Sequence, residues 1–119
     1  MNYFALLGLP VQFGIDLNQL RSNYIQLQKI QHPDKVGGNT RDSAHLNTAY
    51  TVLLDNNSRA LHIFELHNLN TLATRIDLSK LNDAKANPKL YEQKMIDAFD
   101  ANQIHEAYEY WCLCQYAKP

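Results

Sequence analysis

Pro33 constrains the fold of this chain more than any other residue, because it interrupts a stretch that otherwise has helical periodicity. Proline cannot continue a helix, and it pushes the residue before it out of the α region, so a helix must stop at about His32. The tripeptide His32-Pro33-Asp34 thus holds an imidazole and a carboxylate on either side of a rigid ring, and Lys35 follows. A chance helix end in Pro-Asp is the alternative, and the flanking residues decide between the two interpretations.

Apolar residues recur at helical spacing on both sides of Pro33. The stripe before it has spacings of three, four and three residues, which indicates a helix with one buried face, and Asp16 precedes it as an N-cap. The stretch 36–40 is polar and contains two glycines, which predicts a loop, and a second stripe follows. The first stripe consists of Leu17, Leu20, Tyr24 and Leu27, and the second of Leu46, Ala49, Tyr50 and Leu53. The sequence therefore predicts two helices joined by a loop in which another protein can reach both His32 and Asp34.

Residues 67–119 predict a smaller helical region. A polar hinge is expected at 68–71 and a loop or short helix at 72–81. A helix is expected to start after Asn87-Pro88 and to end at Asn102, and a last helix then completes an antiparallel hairpin. The predicted buried faces are Tyr91, Met95, Ala98 and Phe99 on the first helix and Ile104, Ala107, Tyr108, Trp111 and Cys114 on the second. The residues off these faces, notably Ile96, Tyr110 and Leu113, are too apolar for a merely solvated surface.

Composition and charge exclude several classes of protein. The chain has 119 residues, 45% hydrophobic and 19% charged, which is ordinary globular usage for one compact domain or a domain and a half. A formal net charge of −1 gives no global field for nucleic acid or an anionic membrane. No apolar run approaches the ~20 residues of a membrane span, and Pro10 interrupts the apolar start. With only two cysteines, a reducing compartment and a cytoplasmic location are expected.

Other chemistries are weaker interpretations of the same residues. A catalytic dyad of His32 and Asp34 lacks a nucleophile at a readable spacing, and the chain has no phosphate-binding glycine motif. Cys112 and Cys114 point about 200° apart on a helix, so buried thiols are favoured over a metal site with His105. The C-terminal aromatic residues lack the accompanying Lys or Arg of a nucleic-acid surface. We therefore expect no enzyme activity, metal or cofactor.

The motifs together resemble the J-domain of DnaJ-like co-chaperones. The resemblance covers roughly the first 66 residues and rests on NYFALLGLP at 2–10, Tyr24 and Leu27, HPDK at 32–35, LNTAYTVLLD at 46–55 and SRALH at 58–62. Within the family the chain is most similar to the HscB branch, which serves iron–sulfur cluster assembly. Three features support this branch: the NYFALLGLP start, the long loop before the second helix, and Arg59-Ala60 leading into a leucine-rich tail rather than a Gly/Phe-rich linker.

The resemblance implies a function of mechanical coupling rather than bond making. The family's partner is an ATP-driven chaperone of the DnaK class, HscA in this branch, and the J-protein accelerates its ATP hydrolysis while delivering a client. Asp34, fixed beyond Pro33, can accept a charge-assisted hydrogen bond from an arginine of the chaperone, and His32 can add a donor or acceptor. Arg21, Lys29 and Lys35 would supply a positive face, with solvated helix surface as the alternative.

Some positions bear on how strongly that chaperone is bound. Asn47 matches a family position in the third helix near the loop, and a simple surface amide is the alternative. Gln31 stands where a tyrosine usually precedes HPD, and Ile25 and Gln26 stand where many J-domains have basic residues. The positive face is therefore thin, and the contact is expected to depend on a less acidic partner or on the loop itself.

The client half departs further from the family pattern. In HscB-like proteins a three-helix C-terminal domain carries the client, the iron–sulfur scaffold protein IscU, and residues 67–119 are fewer than that domain normally takes. The Met/Leu/Glu-rich motif of its first long helix has no recognisable counterpart. Ile96, Tyr110 and Leu113 are the candidate client contacts, and packing against the J-like helices is their alternative role.

These observations predict an all-α protein with a J-domain at 1–66, an antiparallel helical hairpin with short flanking helices, and a small C-terminal helical hairpin at 67–119. The expected function is that of an HscB-like co-chaperone with a DnaK/HscA-type partner and an IscU-like client, without nucleic acid or membrane. A J-protein with a different client is the alternative. A two-helix adaptor without chaperone activation ranks third.

Overall fold

The computed structural model describes residues 2–31, 40–69 and 77–117, with the side chains of 31 and 40–43 left out. Its elements are helical throughout this part of the chain: α1 (Tyr3–Leu6), α2 (Leu17–Gln31), α3 (Thr40–Leu54), α4 (Asn56–Leu66), α5 (Leu78–Ala86), α6 (Pro88–Asp100) and α7 (Ile104–Ala117). The predicted all-α class is confirmed. No helix in the described ranges has the length and apolar character needed to cross a bilayer.

The chain forms two compact units, residues 1–63 and 64–119. The sequence predicts a domain boundary after residue 66, whereas in the structure Phe64 belongs to the second unit. The Phe64 ring lies 5.3 Å from the ring centre of Phe99, 5.1 Å from that of Tyr108 and 5.5 Å from that of Trp111. These ring contacts join residues that are far apart in the sequence. Helical periodicity describes single helices, so it could not predict that Phe64 belongs to the second unit.

The first unit is built around the pair α2 and α3, with α1 packed against α3. Asp16 caps α2 as expected, because its Oδ1 accepts hydrogen bonds from the backbone N–H of Asn18 at 2.8 Å and of Gln19 at 3.2 Å. The buried apolar residues of this unit are Phe4, Leu7, Phe13, Leu20, Leu46, Ala49, Leu53, Ala60 and Ile63. Leu17, the first residue of α2, does not join them and is 45% exposed.

The second unit contains α5, α6 and α7, with both shorter helices packed against α7. The start of α6 at Pro88 and the break at Asn102, which has φ of 58°, agree with the sequence. Residues 72–76 of the predicted loop or short helix lie outside the described residues, and α5 begins at Leu78 after the N-cap Asp77. A third helix, α5, therefore packs against the predicted two-helix hairpin. Side chains of α7 that the hairpin alone would leave exposed are buried by this contact.

Candidate functional site

The four residues of the HPDK motif, His32, Pro33, Asp34 and Lys35, lie outside the described residues. The structure places the helices on either side of them, with α2 reaching Gln31 and α3 starting at Thr40. The two helices pack against each other, and the pairing is antiparallel because Tyr24 meets Tyr50 while Gln28 meets Asn47. The motif therefore belongs to the segment that joins the two ends of a helical hairpin.

Arg21 and Lys29 are both exposed on α2. They are eight residues apart, and Ile25, which is 40% exposed, lies between them at four residues from each. Residues at this spacing share one helix face. The neighbouring Ile30 is 72% exposed at the motif-proximal end of α2. The structure thus brings together a face of mixed basic and apolar character, and sequence reasoning missed Ile30 because it lies off the buried stripe.

Asn47 is exposed on α3, but its side chain is tied to α2. The Asn47 Oδ1 atom accepts hydrogen bonds from the Tyr24 hydroxyl and, at 2.8 Å, from Gln28 Nε2. Gln28 Nε2 also donates to the Tyr24 hydroxyl at 2.6 Å, and the Tyr24 ring stacks on Tyr50 with centroids 4.0 Å apart. Neither sequence interpretation of Asn47, as a chaperone contact or as a plain surface amide, anticipated this bridge.

Two polar residues at the base of the first unit are buried, namely Arg59 and His62. His62 Nε2 accepts a hydrogen bond from the backbone N–H of Tyr3 at 3.1 Å, and the two rings stack at 4.6 Å. Arg59 donates from Nη1 to the carbonyl oxygen of Leu53 at 2.6 Å, and its guanidinium lies 4.8 Å from the centre of the Phe13 ring. Burial lowers the pKa of Arg59, and the nearby Asp55 carboxylate opposes that shift.

The C-terminal candidates differ from one another in exposure. Ile96 and Tyr110 are half-buried, whereas Leu113 is 1% exposed and packs in a cluster with Ala84 and Tyr91. The expectation that Leu113 lies on an open surface is wrong, because α5 covers the side of α7 that a two-helix hairpin would leave free. The exposed apolar side chains of α5, α6 and α7 are instead Leu78, Leu90 and Tyr116.

Tyr110 borders a shallow cleft on the α6–α7 hairpin, which has a volume of about 330 Å³ and is also lined by Lys94 and Ala98. The Lys94 Nζ atom lies 4.8 Å from the Tyr91 ring centre and 5.8 Å from that of Tyr110. Cys112 is buried on the same helix, and within the described residues no three His, Cys, Asp or Glu side chains converge as metal ligands would.

Comparisons with known proteins agree with this geometry. No family model matches the chain. The co-chaperone protein HscB homolog of Acinetobacter baylyi is 39% identical over 69 residues, which cover 56% of this chain and 40% of that protein. The corresponding homolog of Pseudoalteromonas atlantica is 42% identical over 74 residues, covering 56% of this chain and 42% of that protein. The match thus spans less than half the length of each of these relatives.

Solved structures extend the similarity to nearly the whole chain. The human co-chaperone HscB aligns with a TM-score of 0.71 and 23% identity over 98% of this chain and 77% of the human one. The chaperone HscB of Vibrio cholerae aligns with the same TM-score and 22% identity over 98% of this chain and 91% of the other. At 22–23% identity, these structures support a shared fold and nothing further. The chain resembles the HscB-type J-domain co-chaperones in sequence, and it shares their all-helical architecture of a J-domain and a helical C-terminal domain.

Proposed function

We propose that this protein is an HscB-like co-chaperone, which stimulates the ATPase of a DnaK/HscA-type chaperone and assists iron–sulfur cluster assembly or transfer from a scaffold protein. The observation that carries the proposal is the HPDK sequence at 32–35 between the paired helices α2 and α3, in a chain 39% identical over 69 residues to a co-chaperone HscB homolog. We place this activity in the cytoplasm, and the protein acts without bond-making chemistry of its own.

Stimulation requires that the protein bind one conformation of the chaperone better than the other, because only differential affinity moves a conformational equilibrium. The Asp34 carboxylate is proposed to accept a charge-assisted hydrogen bond from an arginine of the chaperone. His32, Pro33 and Lys35 complete this contact. The exposed Arg21 and Lys29 extend it along α2, where the intervening Ile25 adds apolar area.

The second unit is proposed to contact the client, an IscU-like scaffold. Ile96 and Tyr110 are half-buried and present part of their apolar surface on α6 and α7. Leu113 is proposed to support this surface indirectly, because Tyr110 packs against the buried cluster that contains Leu113. Contacts that rest on two or three such anchors fit the weak, transient affinity that delivery requires, on the order of micromolar.

Substitution of Asp34 by Asn tests the chaperone contact. Asp34→Asn keeps the size of the side chain and removes its charge, so we expect stimulation of the chaperone's ATPase to fall to the basal rate while helicity is unchanged. The measurement is steady-state ATP hydrolysis by a DnaK/HscA-type chaperone at increasing concentrations of the co-chaperone. Asp100→Asn is the matched control, because it makes the same chemical change at an exposed carboxylate of α6.

Full stimulation by Asp34→Asn contradicts the proposed contact, and so does an equal loss in Asp100→Asn. Failure of the unaltered protein to stimulate any chaperone of this class would favour the adaptor interpretation.

A co-chaperone with a different client is the second candidate function. The observation in its favour is that the sequence match covers only 40–42% of the HscB homologs compared. Titration calorimetry with an IscU-like scaffold distinguishes the two candidates. Binding in the micromolar range supports the iron–sulfur role, whereas intact ATPase stimulation without scaffold binding supports a different client.

A further inference from the structure

The hairpin of α2 and α3 is held together differently at its two ends. Among the described side chains of α2, Leu20 alone is fully buried, and it lies in the N-terminal half of that helix. This half lies at the opposite end of α2 from Gln31, the residue that precedes the HPDK motif. At the end near that segment, α2 has only half-buried or exposed side chains, including Leu27. On α2, apolar burial is therefore greater in the half away from the HPDK motif, while α3 buries Leu46 in the half next to it.

A polar network spans the two helices in the half next to the HPDK motif. It consists of Tyr24 and Gln28 on α2 and Asn47 on α3, which we call the interhelical clasp. Each of its three side chains is hydrogen-bonded to the other two, with Gln28 Nε2 at 2.6 Å from the Tyr24 hydroxyl and at 2.8 Å from Asn47 Oδ1. Gln28 is three residues before the last residue of α2, Gln31. The clasp is thus the described polar contact that joins α2 to α3 nearest the motif.

We propose that the interhelical clasp is a positioning group for the chaperone contact: it keeps the motif-proximal ends of α2 and α3 together, and Asn47 acts through α2 rather than by touching the partner. This inference rests on the function proposed above. The Oδ1 atom of Asn47 is occupied by two donors from α2, so it cannot also accept a bond from a chaperone without giving up one of them. If the clasp keeps the motif-proximal ends of α2 and α3 together, a larger fraction of the molecules has the binding-competent geometry. The apparent affinity for the chaperone rises with that fraction.

Tyr24→Phe is the variant that tests the clasp, and Tyr50→Phe is its matched control. Both remove one phenolic oxygen from the same stacked ring pair, but only Tyr24 donates to Asn47. Tyr24→Phe removes both hydrogen bonds of the Tyr24 hydroxyl, and we expect it to raise the concentration for half-maximal ATPase stimulation about fivefold, the equivalent of ~1 kcal/mol, with the maximal rate unchanged. Tyr50→Phe should leave both quantities as they are.

Amide hydrogen exchange supplies a readout that needs no chaperone. In Tyr24→Phe, the amides of residues 25–30 should exchange about fivefold faster, while those near Leu20 keep their protection. A uniform increase along α2 would indicate general destabilisation and would overturn the positioning role. Unchanged exchange at residues 25–30 would overturn the clasp itself.

Combining Tyr24→Phe with Asn47→Ala separates the two roles of Asn47. If Asn47 acts only through the clasp, the double variant stimulates no worse than Asn47→Ala alone, because residues in one network are not additive. Additive losses would mean that Asn47 touches the chaperone directly, and they would overturn the proposal. Absence of stimulation by the unaltered protein would overturn the proposed function, a result distinguishable from failure of the clasp, which the exchange experiment detects independently.

Discussion

Arg59 is a buried charge of the first unit, and both terminal nitrogens of its guanidinium are hydrogen-bonded. Its side chain is 4% exposed, its two terminal nitrogens donate to the Leu53 carbonyl and to Asn56 Oδ1, and its plane lies over the Phe13 ring. The guanidinium thereby joins the end of α3, the start of α4 and the loop before α2. A planar group with fixed donors suits this role better than an ammonium group on a flexible stem.

Truncation of Arg59 is expected to be among the more damaging single changes in the first unit. Arg59→Ala leaves the Leu53 carbonyl without this donor and removes the contact with Phe13, so we expect the free energy of unfolding to fall by about 2–4 kcal/mol. Arg59→Lys, which keeps the charge but not the paired donors, should lose a smaller amount. Urea denaturation followed by circular dichroism measures both.

Arg21→Ala serves as the control for that series, because Arg21 is exposed on α2 and its loss should change stability by no more than about 0.5 kcal/mol. If Arg59→Ala were as stable as Arg21→Ala, the buried guanidinium would contribute nothing net to the fold.

At the scale of elements, α7 is the helix whose environment departs most from a single amphipathic stripe. Its buried residues are Ala107, Tyr108, Trp111, Cys112 and Leu113. Tyr108 and Trp111 pack against the Phe64 ring of α4, whereas Leu113 packs with Ala84 of α5 and Tyr91 of α6. A helix between two neighbours buries more than one face, so its sequence pattern is broader than one stripe.

The turn between α5 and α6 is held by Asp83, which makes a pH-dependent contact. The Tyr91 hydroxyl donates to Asp83 Oδ2 at 2.7 Å, and Asn87 Nδ2 donates to Asp83 Oδ1 at 3.1 Å. The hydrogen bond to Asp83, followed by burial, raises the pKa of Tyr91 above its usual value. Because the folded state holds this proton more tightly, the contribution is complete below about pH 10 and is lost as the pH rises through the raised pKa.

Tyrosinate absorbance during alkaline titration measures this contact. The Tyr91 phenol should ionise later than a free phenol, and this late contribution should be missing in Tyr91→Phe. In Asp83→Asn the step should return towards the ordinary range, since the negative charge that disfavours tyrosinate is gone. An unchanged titration in Asp83→Asn would show that the carboxylate does not hold the Tyr91 proton, and Asp97→Asn on the outer face of α6 is the control.

At the scale of the whole molecule, net charge decides how strongly long-range electrostatics can assist binding. The chain has a formal net charge of −1, and the proposed chaperone face has three basic residues, Arg21, Lys29 and Lys35. At physiological ionic strength, exposed charges are already screened beyond ~8 Å. Short-range contacts at the HPDK motif, rather than steering over distance, are therefore expected to supply most of the affinity.

ATPase titrations at increasing salt check this expectation. Between about 0.05 M and about 0.5 M salt, the concentration for half-maximal stimulation should rise by less than about tenfold. The maximal stimulation should stay constant, after correction for the effect of salt on the chaperone alone. A rise of several hundredfold would show that charge steering dominates and that the positive face is stronger than the sequence indicates.

Local chemistry in the sequence determined where α2 and α6 begin and where the turn between α6 and α7 lies. Asp16 caps α2 through its own carboxylate, Pro88 starts α6 because it needs no backbone donor, and Asn102 ends the hairpin turn in the left-handed region. These signals depend on residues within one turn of each other, so they are readable without tertiary information. The HPDK motif was readable for the same reason, and the family resemblance rests on several such local motifs between residues 2 and 62.

Only the tertiary structure decided which neighbour covers each surface. Leu113 is buried because α5 reaches α7, Phe64 joins the second unit through rings that lie far from it in sequence, and Asn47 is engaged by two side chains from α2. Helical periodicity indicates that a helix has a buried face. It does not predict polar side chains that bridge two helices, and it does not predict a third helix that covers the opposite face. Those outcomes depend on contacts between residues distant in sequence, which the pattern within a single helix does not encode.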